Sequence, residues 1–520
     1  MALVALGFAA AGCTDDVVRW NDLPPIEDLP WREPVVLPLC TPWSPDFALP
    51  TLPAPAGRVQ IENPVRLFAT GLVTTLDLVA RDPGGAIDGA AGGVVALDLA
   101  GGGTVLEVPS MVAGRARARV RFTEPGTFTA TATLTADGRT GTTALATYRS
   151  QLPVWELTID PVELAAMEAR PQELIQVPAG LTIDGVALAT KVRLHGGSSR
   201  DFEKKSFRFD LAAGLDLDGH DHLILRAEWN DKTLLRNWLA LALVRSETWL
   251  AAPAAELVHF RINERFYGLM DRVERVDRDF LRARGLSTGG SLYEAASPTG
   301  AALGDLTPLP PAQYPIVYPL QAGSGAHLDL RGLIEDVLRR GPGDFEVTLL
   351  GEVEVDDVLV YLAAMAVIQN QDHVRKNYYL YRDPALVRGW TIVPWDLDLT
   401  FGHLSTEAND VLDEAIVVDG DPFVGALPDG AFGPYNALID RLLDLPELRA
   451  RFVAMTRRIV ASEAARGLVD AHLAWAVCRA QPELLTDERK RADNAEYLGR
   501  VGEIRGFAAS RRAFLEGLPD

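Results

Sequence analysis

The sequence predicts an α+β protein with an all-β part near its N-terminus and a larger mixed domain that has a helical C-terminal part. Two patterns lead to this class. Between about residues 57 and 148, apolar and polar residues alternate in short runs, which is typical of strands buried on one face. Beyond residue 150, strand-like runs mix with stretches in which aliphatic residues recur at helical spacing. A chain of 520 residues exceeds one compact core, so several domains are expected.

Composition excludes several classes of function. The chain has 50 Lys and Arg against 71 Asp and Glu, a formal net charge of -21, and such a field repels nucleic acid and anionic membranes. We therefore predict no nucleic-acid partner and expect any phosphate to meet a local cationic cluster. Only six of the 50 basic residues are Lys, which leaves 44 Arg. Each lysine is thus a candidate for a role that guanidinium fills poorly.

The first 13 residues have the pattern of a lipoprotein signal. An apolar run, MALVALGFAAAG, ends at Cys13, and acidic residues follow. Such signals are cut before the cysteine, which then receives a lipid. This interpretation predicts a lipid-anchored protein of the cell envelope, on the periplasmic or extracellular face, that meets the membrane only through Cys13. The alternative is a buried N-terminal strand.

Residues 14–56 are rich in proline and lack periodicity, which predicts an extended tether. Cys40 lies in this tether, and Cys478 lies near the C-terminus. In an oxidising compartment the two could form one long-range disulfide. A loop cysteine and a buried helix cysteine are equally consistent with the sequence.

Residues 57–148 are predicted to form an immunoglobulin-like β-sandwich. Their alternating runs are separated by turns rich in Gly, Pro and Asp, as in sandwiches of about 100 residues. The clearest runs are Thr104–Val108, Ala116–Phe122 and Phe128–Leu134. The segment has no Lys, no Cys and no concentrated polar cluster. We therefore expect a spacer or adhesion module without chemistry of its own.

The segment 150–518 is predicted to be one α+β domain. Its mixed periodicities indicate strands first and helices towards the C-terminus. Strands are expected at Gly185–Leu194, Lys205–Leu211, Leu257–Ile262 and Gly389–Asp398. Helices are expected at Thr233–Val244, at Val355–Val367 and through most of Tyr435–Leu518.

A glycine- and serine-rich turn precedes a pair of lysines on one predicted strand. Such a turn exposes backbone N–H groups to a phosphate without obstruction by side chains. Strand alternation places Lys205 on the face of Phe207 and Phe209. If that face points inward, Lys205 would be half-buried and Lys204 solvated. A purely structural hairpin is the alternative. The turn consists of Gly196, Gly197, Ser198 and Ser199.

Two further groups of polar residues follow the helix predicted at Val355–Val367. Asp372 and Asn377 have the D-x-x-x-x-N spacing of a protein-kinase catalytic loop. Asp396 and Asp398 end an apolar strand two residues apart, so their carboxylates would share a face and could meet one hard cation such as Mg²⁺. In each case structural capping of a turn is the alternative.

The order of these features matters more than any one of them. The chain contains, in this order, a glycine turn, a strand lysine, a helix, a strand pair that runs to Glu274, a second helix, the Asp-x4-Asn loop and a strand that ends in two aspartates. This is the serial order of a protein kinase. The larger domain is therefore predicted to be an atypical protein-kinase-like domain.

Five segments resemble the spore-coat protein H (CotH) kinase family: HGGSSRDFEKKSFRF, NDKTLLRNWLA, RINERFYGLMDRVERVDRDFL, NQDHVRKNYYLYRD and VPWDLDLTFG. The resemblance spans roughly residues 150–518. It implies an atypical protein kinase that uses ATP and a divalent metal, Mg²⁺ or Mn²⁺, to phosphorylate Ser or Thr of secreted or coat proteins. It also implies that Asp372 is the catalytic base and that Asn377 and Asp396 bind metal, with Asp398 beside them.

The resemblance assigns the nucleotide contacts less specifically. Lys204 or Lys205 would bind phosphate, and Glu274 would lie at a hinge or nucleotide contact. The carboxylate that pairs with the phosphate-binding lysine stays open among three residues on or beside the intervening helix. These are Glu228, Asp231 and Glu247.

Three functions are consistent with these residues. The leading hypothesis is an anchored, secreted protein kinase in which Asp372 deprotonates a protein hydroxyl, Asp396 and Asn377 hold Mg²⁺, and Lys205 binds the phosphates. The second is a non-catalytic surface module for adhesion or envelope assembly. The third is a metal-dependent hydrolase that uses Asp396 and Asp398.

Overall fold

The computed structural model describes residues 23–32, 37, 40, 57–296, 304–339, 346, 349–383, 385, 389–403, 418–422 and 436–518. It confirms the α+β class. The predicted signal with Cys13, and most of the predicted tether, lie outside the described residues. No helix within the described ranges is both long enough and apolar enough to cross a bilayer.

Two four-stranded sheets form an all-β unit in the N-terminal half. Its strands are β1 Val59–Ile61, β2 Leu67–Ala69, β3 Val73–Ala80, β4 Val95–Asp98, β5 Gly103–Glu107, β6 Arg115–Phe122, β7 Gly126–Leu134 and β8 Thr140–Tyr148. The sheet orders are β1-β3-β6-β5 and β2-β8-β7-β4. Alternation turns every second side chain inward, so apolar residues of both sheets, such as Leu76 and Leu145, share one buried cluster. The three predicted runs correspond to β5, β6 and β7.

Seven strands then close into a barrel. They are β9 Val154–Thr158, β10 Val177–Ile183, β11 Val186–His195, β12 Ser206–Leu211, β13 His222–Arg226, β14 Ala255–Ile262 and β15 Arg265–Val273. The order is β10-β11-β12-β13-β15-β14-β9. Phe207 and Phe209 of β12 face inward, because both are fully buried and pack on Phe260. Tyr267 and Trp155 complete this aromatic core.

A smaller sheet of four strands follows the barrel. Its strands are β16 Ser291–Ala295, β17 Leu320–Ala322, β18 Tyr378–Arg382 and β19 Thr391–Pro394, in the order β17-β16-β18-β19. The strand predicted at Gly389–Asp398 is therefore shorter than expected. It ends before Asp396, where the backbone turns left-handed with φ at 57°.

Helices surround the two sheets of the larger domain. They are α1 Pro161–Ala169, α2 Arg236–Glu247, α3 Arg278–Ala283, α4 Tyr314–Val317, α5 Leu328–Arg339, α6 Val355–Ile368, α7 Ala437–Leu443, α8 Pro446–Arg466, α9 Leu468–Thr486 and α10 Asn494–Glu516. The predicted helices correspond to α2, α6 and the run from α7 to α10. α6 is apolar on nearly every side and lies inside the core.

Ion pairs join the β-sandwich to one end of the barrel. Arg119 of β6 donates hydrogen bonds to both carboxylate oxygens of Glu264, at 2.8 and 2.6 Å. Arg265 of β15 donates to Asp77 of β3 at 2.6 Å. These contacts fix the sandwich beside the turn between β14 and β15.

The N-terminal segment 23–32 packs on the larger domain. Leu23, Ile26, Leu29 and Trp31 lie against its apolar core, and Cys40 forms a disulfide with Cys478 of α9, with Cα atoms 6.3 Å apart. Of the two alternatives for these cysteines, the structure has the disulfide. The bond closes a loop that spans most of the chain, so the N-terminal segment is tied to the helical part.

Candidate active site

Four of the predicted site residues converge at one end of the small sheet. Strands β18 and β19 are antiparallel, with Tyr378 opposite Pro394. The residues just before β18 and just after β19 are therefore neighbours. Asp372 and Asn377 precede β18, and Asp396 and Asp398 follow β19. The topology of the sheet thus brings together two motifs that are separate in the sequence.

Two neighbours in the loop between α6 and β18 hold Asp372 in place. Nδ2 of Asn377 donates a hydrogen bond to Oδ2 of Asp372 at 3.0 Å. Nζ of Lys376 lies 2.7 Å from the same oxygen. Burial raises the pKa of Asp372, and Lys376 opposes this shift only in part. The carboxylate is therefore oriented and partly desolvated, as a proton acceptor requires.

Lys376 also connects the two motifs electrostatically. Burial alone would lower the pKa of its ammonium, but the charge of Asp372 and then those of Asp396 and Asp398 raise it. All three carboxylates therefore lie within electrostatic reach of one lysine.

Arg226 joins the barrel to the acidic pair, and sequence reasoning missed it. Its Nη2 lies 2.5 Å from Oδ1 of Asp396 and 3.7 Å from Oδ2 of Asp398. Burial alone would raise the pKa of Asp396, but Arg226 more than offsets burial and lowers it. In protein kinases the phosphate-binding cation lies on the third strand, before the first large helix. Arg226 ends β13, the strand directly before α2, so a search for a cation on that strand could have identified it.

Glu228 is the carboxylate that pairs with this cation. Nε of Arg226 donates a hydrogen bond to Oε1 of Glu228 at 2.7 Å. The other two candidates have other partners, because Asp231 pairs with Arg236 and Glu247 pairs with Arg466, whose Nη1 lies 3.6 Å from Oε1 of Glu247. The ion pair expected for a lysine is therefore made by an arginine.

The acidic cluster around Arg226 has unsatisfied oxygens. Within the described part of the chain, Oε2 of Glu228 and Oδ1 of Asp271 are buried without a hydrogen-bond partner. Burial, and then the charge of Asp396, raises the pKa of Asp398 to about 7, and burial raises that of Asp271 to about 7 as well. An acidic cluster with orphaned oxygens fits a divalent cation, which prefers carboxylate ligands. The residues present therefore suit Mg²⁺ or Mn²⁺.

Asn237 fixes the loop that carries Asp396 and Asp398. Because β19 ends at Pro394, strand alternation does not extend to the two aspartates, although both carboxylates lie near one atom, Nη2 of Arg226. Instead the backbone N–H of Leu397 donates to Oδ1 of Asn237 at 3.0 Å. The Nδ2 of Asn237 donates to Asp271 at 2.7 Å. A residue in the first turn of α2 thus positions the acidic loop.

Lys204 occupies a different place from the one predicted. It is buried, and its ammonium donates to the carbonyl of Leu269 at 2.6 Å and to Oδ2 of Asp487 at 2.8 Å. The prediction that Lys204 is solvated is therefore wrong. β12 begins only at Ser206, so strand alternation does not extend to the lysine pair.

Lys205 is buried as well. Its Nζ donates to the carbonyl of Arg200 at 2.8 Å, and its backbone N–H donates to the hydroxyl of Tyr267 at 2.7 Å. The ammonium groups of Lys204 and Lys205 thus both contact oxygens of the protein. The salt bridge to Asp396 is made by Arg226 and not by either lysine.

The glycine turn joins β11 to β12 beside a cationic part of the barrel. Gly196 has φ at 103°, where a Cβ would collide with Oγ of Ser199, and Ser198–Asp201 form a short 3₁₀ helix in which Ser198 is exposed. Gly197 is exposed too. Burial and then four guanidiniums lower the pKa of His195, next to the turn, to about 3. The four belong to Arg226, Arg193, Arg208 and Arg275.

Glu274 lies directly after β15, at a cleft of about 520 Å³. Both of its carboxylate oxygens accept hydrogen bonds from Arg284, at 2.8 and 2.6 Å. Nε2 of His220 lies 3.1 Å from Oε1 of Glu274. Burial alone would raise the pKa of Glu274, but Arg284 and His220 hold it at about 2. The carboxylate is committed to these partners, and its contact with a nucleotide stays a prediction.

Comparison with known proteins gives two matches. A family model described as CotH kinase protein matches residues 192–515 of the chain. The inner spore coat protein H of Bacillus subtilis (strain 168) is 25% identical over 370 residues, which are 71% of this chain and 98% of that protein. The family match begins within β11 and leaves the β-sandwich outside. It includes every residue of what we call the acidic centre, namely Arg226, Glu228, Asp271, Asp372, Asn377, Asp396 and Asp398.

Proposed function

This chain belongs to the CotH kinase family, and we propose that it is an ATP- and divalent-metal-dependent phosphotransferase that acts on Ser and Thr hydroxyls of proteins. One observation carries the proposal: Asp372, Asn377 and the Asp396–Asp398 pair lie at one end of the small sheet, with Arg226 between the barrel and the acids. These are the parts that phosphoryl transfer needs, namely a base, metal ligands and a cation for phosphate. We propose in addition that the fold is kinase-like and the sandwich immunoglobulin-like.

In the proposed reaction, Asp372 accepts a hydrogen bond from the acceptor hydroxyl and takes its proton as the new bond forms between the hydroxyl oxygen and the γ-phosphorus of ATP. The bond between that phosphorus and the β,γ-bridging oxygen breaks in the same step, and ADP leaves. Asn377 and Lys376 keep the carboxylate oriented towards that hydroxyl. Asp396, Asn377 and Asp398 would hold the Mg²⁺ or Mn²⁺. The metal, when bound, neutralises charge on the phosphate oxygens.

Arg226 is proposed to bind the phosphates in place of the lysine that the sequence suggested. A guanidinium offers a planar fork of donors that matches phosphate oxygens and stays charged at any physiological pH. Glu228 keeps the guanidinium in place through its hydrogen bond from Nε. The exposed turn of Gly196, Gly197, Ser198 and Ser199 would then cover the phosphates with backbone N–H groups.

The name of this relative guides the proposed location. That protein is an inner spore coat protein, so we propose that the present chain also works in a coat or cell envelope. Its proposed partner is a protein substrate in the same layer. Anchoring through a lipid on Cys13 remains part of this proposal.

The proposal is tested first by ligand binding. We expect ATP with Mg²⁺ to raise the melting temperature of the wild-type protein, because a ligand at 100 times its Kd stabilises the native state by about 2.7 kcal/mol. The Asp396→Asn variant, which loses a metal ligand, should lose the part of the shift that depends on Mg²⁺. Differential scanning fluorimetry with ATP, Mg²⁺ and both together measures these effects.

Two outcomes would reject the proposal in different ways. No shift with any nucleotide or metal would favour a non-catalytic envelope module. Turnover of a phosphoester that needs the metal but no ATP would favour a hydrolase that uses Asp396 and Asp398. Asp470→Asn, at an exposed carboxylate of α9, serves as the control and should respond like the wild type.

A second prediction separates Arg226 from Lys205 as the phosphate-binding cation. Arg226→Lys keeps the charge but loses the guanidinium fork, so we expect ATP affinity to fall about tenfold, the equivalent of about 1.4 kcal/mol. Lys205→Met should leave ATP affinity within about twofold, because the Lys205 ammonium already contacts a backbone carbonyl. Isothermal titration with ATP and Mg²⁺ measures both. The opposite ranking would restore Lys205 to the role suggested by the sequence.

A further inference from the structure

Three guanidiniums from separate parts of the chain line the cleft beside Glu274. Arg32 ends the N-terminal segment 23–32, Arg245 lies in the last turn of α2, and Arg284 follows α3. The barrel contributes the opposite wall through β13 and β15. The cleft is therefore assembled from elements that are far apart in sequence.

Two of these three cations form no salt bridge within the described residues. Arg284 pairs with Glu274. Arg32 donates to the carbonyls of Trp249 and Leu250 at 3.4 and 3.0 Å and to that of Arg245 at 3.3 Å. Arg245 donates to the carbonyl of Ala252 at 3.1 Å. In the part of the chain that the structure describes, neither Arg32 nor Arg245 forms a salt bridge.

Backbone carbonyls compensate these charges only in part. Those that contact Arg32 lie at and just beyond the C-terminal end of α2, where a helix contributes about half a negative charge. Burial, and then the guanidiniums of Arg245 and Arg284, lower the pKa of Arg32. Burial, and then Arg284, lower the pKa of Arg245, and the charge of Glu274 opposes this shift. Glu274 already pairs with Arg284, and Asp218 and Glu256, which also line the cleft, pair with Arg272. Three adjacent guanidiniums beside one carboxylate therefore leave a local positive potential.

The shape of the cleft suits a small anionic molecule. Its volume is about 520 Å³, within the range of small-molecule sites. Apolar side chains, including Ile224 and Val273, line it beside the charged ones. Ile224 of β13 lines this cleft and Arg226 ends the same strand, so about 7 Å of strand separates the nearest cleft residue on β13 from Arg226.

We propose that Arg32, Arg245 and Arg284 form a binding site for the phosphoryl group of a small molecule, separate from the centre at Asp396. Planar guanidinium forks bind phosphate oxygens in pairs, and two of the three here lack a carboxylate partner. The apolar wall would accommodate an organic group attached to the phosphate. The inference goes beyond the proposed phosphotransferase activity and does not depend on it.

Occupancy of this site would also tie the N-terminal segment to the larger domain. Trp31, next to Arg32, packs edge to face on Trp249 with ring centroids 5.0 Å apart. A phosphate held between Arg32 and Arg245 would add charge-assisted bonds to this apolar contact. The bound phosphate would thus help to hold segment 23–32, which follows the predicted lipid anchor, against the larger domain.

The test uses the full chain and two probes, inorganic phosphate and AMP without metal, against potassium chloride at equal ionic strength. We expect either probe to raise the melting temperature of the wild type, and its Kd to rise at least tenfold in Arg245→Gln and in Arg32→Gln. Arg282→Gln serves as the matched control. Arg282 lies in α3, two residues before Arg284, but it does not line the cleft and it pairs with Asp279. Its Kd should equal that of the wild type.

Comparison of the probes identifies the ligand class. Equal affinities would indicate a site for free phosphate, and tighter AMP would indicate an organic phosphate that uses the apolar wall. Both support the site. Equal shifts in wild type and Arg245→Gln, or a shift that chloride reproduces, would overturn it. Arg245→Lys, which keeps the charge, covers the case in which Arg245→Gln fails to fold, and it too should bind phosphate more weakly.

An Asp396→Asn variant keeps this test apart from the proposed activity. It should bind phosphate at the cleft like the wild type while losing its response to Mg²⁺. Loss of phosphate binding in Asp396→Asn would place the anion at the acidic centre and reject the separate site. Failure of phosphoryl transfer would leave the result at the cleft unchanged.

Discussion

We expect Asp372→Asn to lower phosphate transfer to a protein hydroxyl by about 10²–10⁴-fold, the range over which a general base contributes. Asparagine has nearly the same shape, so Asn377 and Lys376 can keep their places around it. Its amide cannot take the proton of the acceptor hydroxyl. Binding of ATP with Mg²⁺ should change little, because Asp396 and Arg226 remain.

The measurement is transfer of label from γ-labelled ATP to co-expressed envelope or coat proteins. Asp383→Asn is the matched control, since Asp383 is buried and directly follows β18 but belongs to no part of the acidic centre. It should transfer label at the wild-type rate. Equal transfer by the wild type and Asp372→Asn would remove Asp372 from the role of base, whatever the outcome of the nucleotide-binding test.

The second large effect concerns stability. We expect Lys204→Met to lower the free energy of unfolding by about 3–5 kcal/mol, because it leaves the carboxylate of Asp487 buried without its cation. Both side chains of this pair are fully inaccessible to solvent. The site also requires a glycine at position 268, where a Cβ would lie 2.7 Å from Oδ2 of Asp487 and 2.9 Å from Cε of Lys204.

Urea unfolding of three variants checks this prediction. Lys191→Met removes an exposed lysine and should change the free energy of unfolding by no more than about 0.5 kcal/mol. A double variant, Lys204→Met with Asp487→Asn, should lose less stability than Lys204→Met alone, because no buried charge remains. If Lys204→Met were as stable as the wild type but no longer bound ATP, Lys204 would be a phosphate ligand instead of a structural cation.

Local patterns were sufficient to predict many of the secondary-structure elements. α6 was predicted as Val355–Val367 and is Val355–Ile368, because a continuous apolar run of that length forms a buried helix. β11, predicted as Gly185–Leu194, is Val186–His195. The strand before Asp396 was predicted too long, because the left-handed turn at that residue depends on the contact of the loop with Asn237 of α2.

The sequence by itself determined the α+β class and the order of the motifs, since these depend on the periodicity of short segments and on chain order. Only the tertiary structure decided which cation serves the acidic centre. Lysines were singled out because they are rare, yet Lys204 pairs with Asp487, which is 283 residues away, and Arg226 reaches Asp396. These partners are set by how the barrel packs against the small sheet and the C-terminal helices. The spacing of residues along the chain does not indicate how these parts pack.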